Sequence, residues 1–111
     1  MNNAWMYPLE KFESAVDSLA TSAADIRQRL HNAYMSVFTV DTEELPERAR
    51  SVHESLMAEL TKHEAVADEG SVAASLKRMT DAECEAAAKK IVEIHDVLRE
   101  EEQDAIRRGE W

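Results

Sequence analysis

A chain of 111 residues, 44% hydrophobic and 32% charged with only two glycines and two prolines, is long enough for one domain with its own core. That composition suits helices and argues against disorder or a turn-rich β fold. The formal net charge of −10 sets up a field that repels phosphate and anionic lipid, so direct binding of nucleic acid or a membrane surface is not expected, and a protein partner of basic character is.

The first predicted helix carries Leu9, Phe12, Val16 and Leu19 at three- and four-residue steps, with Pro8 in its first turn where a missing N–H is tolerated. Ser22, followed three residues later by Asp25, reads as the capped start of a second helix. Its inward stripe is Ile26, Leu30, Ala33 and Val37, widened by Tyr34 and Phe38. The stretch "TVDTEELPERAR" then breaks the pattern, since β-branched residues, an Asp-Thr pair and Pro46 favour a turn. A third helix is expected from about Pro46, with Ala49, Val52, Leu56 and Leu60 inward, ending in the loop "TKHEAVADEGS". After a short helix over "SVAASLKRM", Thr80 and Glu83 form a capping box that opens the longest helix.

Four wide apolar stripes joined by short connections bury each other best around one core. The expected fold is therefore all-α: a single domain over residues 1–111, an antiparallel bundle of four main helices plus one short helix. A hairpin that dimerises into a four-helix bundle is the alternative architecture.

In the longest helix, Cys84, Ala87, Ile91, Ile94 and Leu98 share the inward direction, while Glu93, Asp96, Glu100 and Asp104 point away. Most of the carboxylates in "EIHDVLREEEQDAIRR" are thus expected to form a solvated face, partly balanced by Arg99, Arg107 and Arg108. His95 and Glu102 lie at the edge of the inward stripe with Cys84. At about 1.5 Å rise per residue, Cys84 and Glu102 are about 27 Å apart, and His95 is about 10 Å from Glu102, so these residues do not share one ion. None of the four histidines follows a Glu by three residues, and no His-x-x-x-His or Cys-x-x-Cys pair occurs. Neither a metal nor another cofactor is expected.

His53 falls within the third helix's apolar stripe, five residues after Arg48. An Arg followed at such a spacing by His resembles the paired motif of HEPN-type ribonucleases, helical domains whose His and Arg act at the scissile phosphate. That resemblance implies Arg48 and His53 as catalytic residues of an RNA-cleaving alternative. The chain departs from the motif at Ala49, where a polar residue usually follows the arginine, and its acidity disfavours RNA. The serines and Cys84 show no nucleophile elbow, and two glycines build no phosphate-cradling loop.

Large apolar groups outside the stripes remain: Trp5, Met6 and Tyr7, then Met35 and Val40, then Ile106 and Trp111. Beyond Leu98 the next inward position is Glu102, with apolar character returning at Ala105 and Ile106. The expected function is a small acidic interaction or regulatory module without catalytic activity, neutralising a basic protein partner through Glu102, Asp104, Ile106 and Trp111. An oligomeric scaffold, with self-association as a homodimer, is a further alternative. The single cysteine forms no internal disulfide, and no charged-then-apolar leader opens the chain, so a cytoplasmic setting is expected.

Overall fold

Each of the five apolar stripes becomes a helix. The computed structural model describes residues 4–62 and 70–109, in which α1 spans Met6–Thr21, α2 Ile26–Val37, α3 Glu47–Thr61, α4 Ser71–Arg78 and α5 Asp81–Arg107, with a 3₁₀ turn at Thr42–Glu44. Most of the expected loop "TKHEAVADEGS" lies outside the described residues, as does Trp111.

Side-chain pairs fix the direction of each helix. Tyr7 Oη lies 2.6 Å from Thr39 Oγ1, so α1 starts where α2 has just ended. Glu13 meets Arg99 at 3.1 Å, placing the first half of α1 beside the second half of α5. Arg48 reaches Glu100 at 2.8 Å and Lys62 reaches Glu83 at 3.6 Å, so α3 runs antiparallel to α5. The bundle is therefore up-down-up-down over α1, α2, α3 and α5. The central element is α5, which packs on α1, α2 and α3, while α4 fills the corner between α2 and α3.

The core follows from the stripes. Phe12, Leu30, Leu56, Leu60, Ile91, Ile94 and Leu98 are fully buried, and Cys84 and Ala87 continue the α5 stripe inward as its spacing requires. Val16, Leu19, Ile26 and Val52 are only half-buried, packed against the margin of the core. Phe38 departs from expectation. It is 49% exposed and stacks on Tyr34 at 5.9 Å, because the helical step of about 100° from buried Val37 carries it to the flank of the inward stripe, where no other element among the described residues covers it.

The caps show where local sequence chose the boundaries. Asp25, not Ser22, is the N-cap of α2, its carboxylate accepting from the Gln28 N–H at 2.9 Å. Ser22 instead ends α1, and its hydroxyl accepts from the Ala24 N–H within the turn. At α5 the expected capping box is complete: Thr80 Oγ1 accepts from the Glu83 N–H at 3.1 Å, and Glu83 accepts from the Thr80 N–H at 2.8 Å. Those hydrogen bonds, the Thr80 backbone N–H foremost, hold the Glu83 carboxyl below its ordinary range. Thr80→Ala is expected to lower stability by about 1 kcal/mol in urea titration, and Thr80→Ser to keep most of it. At the far end Gly109, with φ of +73°, closes α5 in the left-handed conformation, its N–H donating to the Ile106 carbonyl.

Three arginines brace chain reversals. Arg27 donates to the carbonyls of Leu76 and Met79 and pairs with Asp81 at 2.8 Å, tying the end of α4 and the start of α5 to α2. The Arg27 guanidinium is held protonated beyond its ordinary range, first by that Asp81 hydrogen bond. Arg29 donates to Leu19 and Ala24 carbonyls at the α1–α2 turn, and Arg50 to those of Glu43 and Leu45 ahead of α3. These guanidiniums satisfy helix-end and loop carbonyls that would otherwise lack donors.

Candidate functional site

Arg48 and His53 stand on the same helix but engage different surroundings. A five-residue step turns the direction by about 140° on a helix. Arg48 lies exposed against α5, paired with Glu100 at 2.8 Å and Glu101 at 3.5 Å. The Glu100 hydrogen bond, first among its neighbours, pushes the Arg48 pKa up. His53 is 3% exposed, in a T-shaped contact with the Phe12 ring at a centroid distance of 6.4 Å. Its Nδ1 lies 2.9 Å from Thr42 Oγ1, while Nε2 meets no hydrogen-bond partner among the described residues. Burial pushes the His53 pKa below the ordinary value, with the nearby Glu54 and Asp41 carboxylates pulling weakly the other way.

Cys84 is a buried free thiol in the first turn of α5. Burial raises its pKa, the nearby Arg27 offsets that only in part, and the carboxylates of Asp81, Glu83 and Asp25 add to the rise. The thiol therefore lacks the thiolate character a nucleophile needs at neutral pH. Among the described residues, no group of three or more His, Cys, Asp or Glu side chains is placed to hold a metal ion. No helix among them is long and apolar enough to cross a membrane.

The end of α5 carries the other sequence-predicted residues. Glu102 turns back along the helix toward Arg99 at 3.7 Å and is largely covered. Asp104 pairs with Arg107. Ala105 is buried, so the inward stripe resumes beyond Leu98 where the sequence reading had it stop: α5 stays packed on the bundle for two more turns. Ile106, next to Ala105, is 48% exposed.

Register places Ile106 among similar groups. Glu13 of α1 faces Arg99 of α5. One heptad back from Glu13 is Met6, and one heptad on from Arg99 is Ile106, so both helices present an apolar side chain toward the same region. Met6 and Ile106 are both about half-exposed. Tyr7, Met35 and Phe38 are exposed at the same end, where α1 starts and α2 finishes. Of the large exposed apolar side chains among the described residues, only Val92 lies elsewhere. Val40, which the sequence sets apart with them, is buried in the core instead, and Trp5 packs partly buried against it.

Charge is concentrated at that end too. Segments 10–13, 41–50 and 93–108 hold twelve carboxylates against six Lys or Arg, whereas the remaining described residues hold seven of each. Among the described residues, the excess of carboxylates over cations thus falls at one end of the bundle. Sequence reasoning missed Phe38, which it assigned to the core; its offset of about 100° from Val37 on the helix was the available signal.

No family model, curated protein or solved structure matches this chain.

Proposed function

We propose that this chain is a non-catalytic interaction module whose acidic end, studded with exposed Met6, Tyr7, Met35, Phe38 and Ile106, binds a basic protein partner and neutralises it. The observation that carries this reading is the coincidence of two asymmetries among the described residues: the carboxylate excess and the exposed apolar groups occupy the same end of the bundle. Scattered exposed apolar residues are ordinary, but a group of them beside a one-sign field has the composition of an interface. The field accelerates encounter with a basic surface, and the apolar side chains supply short-range affinity.

Catalysis draws less support. His53 is buried and Arg48 is already paired with two carboxylates, so neither offers a free group to a phosphate. Cleavage of single-stranded or structured RNA by the parent protein, lost in a folded His53→Ala variant, would replace the binding reading with the ribonuclease one.

The test is affinity capture with the full chain from native lysate at low and high salt, beside Ile106→Ser. A basic protein recovered stoichiometrically, released by salt and weakened by Ile106→Ser, is the expected result. Capture of nothing, with a clean dimer on sizing, would replace the partner with a second copy.

A further inference from the structure

We propose that the groove between the first half of α1 and the last turns of α2 seats an amphipathic helix with a basic polar face, donated by the partner. This rests on the interaction-module reading above and gives it a site and a ligand class.

The groove exists because small residues line its floor. Ser14 of α1 and Ser36 of α2 approach to 3.2 Å through their hydroxyls. Their short side chains leave a trough of about 370 Å³ between the helices. Met35, 56% exposed, and Phe38 form its α2 wall. From the Ser14–Ser36 contact to the Tyr7–Thr39 contact α1 advances seven residues, about 10 Å or two helical turns. That length matches the i, i+3/i+4, i+7 anchors of a helix laid in a groove.

The walls have the chemistry of such seats. Met35 is unbranched and polarisable, and adapts to whatever side chain enters. Phe38 is held in place by its stack on Tyr34, and Tyr7 by its hydrogen bond to Thr39. A rigid aromatic with a preset orientation loses little entropy on binding.

Charge selects the occupant. Glu10 lines the groove, and Asp41, Glu43 and Glu44 lie just beyond Thr39 in sequence. The cation at the rim, Lys11, sits 5.5 Å over the Tyr7 ring and is engaged there. A second copy of this chain would bring the same carboxylates against themselves, and an anionic lipid surface would be repelled by them. A helix with Lys and Arg flanking an apolar stripe meets both features at once.

The test uses two labelled peptides of leucine and lysine, each about five helical turns long. They share one composition; the first has leucines at stripe spacing and the second has them scrambled. Fluorescence anisotropy against the full chain is expected to show the striped peptide binding at least about tenfold tighter than the scrambled one. The Met35→Ser/Phe38→Ser double variant should lose that preference with its circular dichroism unchanged, and Val92→Ser should keep it. Equal binding of the two peptides, or a preference that survives the double variant, overturns the groove. Equal binding that salt abolishes leaves the acidic module standing without this seat, whereas no binding of either peptide removes both. A wild-type dimer on sizing that the double variant dissociates would overturn the proposal by making the occupant a second copy.

Discussion

Phe12→Ala is expected to remove about 3–5 kcal/mol of stability, a large share of what a domain of this size holds. Phe12 is fully buried where α1 meets the core, and its ring lies edge-on to His53. Truncation leaves a cavity that the surrounding helices close only in part, because α1 is held at both ends: Tyr7 to Thr39, and the Leu19 carbonyl to Arg29. Phe38→Ala removes the same atoms from a ring that is half in solvent, and is expected to change stability by about 0.5 kcal/mol or less. Urea titration of both variants, with the slope held common, measures the difference directly. A Phe12→Ala midpoint close to the parent's would mean that α1 does not pack as described.

Acid is expected to destabilise the fold through His53. In the folded chain burial holds its pKa below the ordinary value, which the unfolded chain recovers at about 6.5. A depressed base binds its proton more weakly when folded. The stability is therefore fully present above about pH 6.5 and declines as pH falls from there toward the folded-state value. The structural reason is Nε2. In the imidazolium form it becomes an N–H donor, and none of the described residues offers it an acceptor, while Nδ1 is already turned to Thr42. Asp41 and Glu54 favour the charged form and moderate the loss. His53→Leu replaces a buried polar ring that is incompletely hydrogen-bonded with an apolar side chain, so stability at neutral pH should be kept or raised while the decline below pH 6.5 diminishes. Thermal melts of both proteins between about pH 7.5 and 5, the range over which an unperturbed His titrates, check this. Parallel losses in parent and variant would assign the acid sensitivity to other groups.

The two outcomes at phenylalanine show how far the sequence carries. Phe12 lies inside a run of Leu9 and Ala15 at helical spacing, so its direction follows from the period alone. Phe38 keeps the helical step, its N–H on the Tyr34 carbonyl, and that step turns it about 100° from Val37 to the margin of the stripe, where burial depends on what a distant element covers. Ser22 and Asp25 differ for a related reason. Both are cap-forming residues at a helix start, and the choice between them depends on where α1 ends, which Arg29 settles by bracing the Leu19 and Ala24 carbonyls.

What the sequence determined by itself was local and periodic: helix as the only regular element, the inward face of α5 from Cys84 to Leu98, the Thr80–Glu83 cap, and the total charge. Backbone hydrogen bonds and side chains three or four residues apart carry all of these, so neighbouring residues suffice to specify them. Only the tertiary structure decided which residues from distant helices share a surface. Met6, Met35, Phe38 and Ile106 are separated in the chain and have no common period, yet the up-down-up-down packing gathers them at the end where carboxylates outnumber cations. The same packing buried His53 against Phe12 and set Arg48 on Glu100, because a helix turns residues five apart toward different neighbours, and those neighbours come from elements far along the chain.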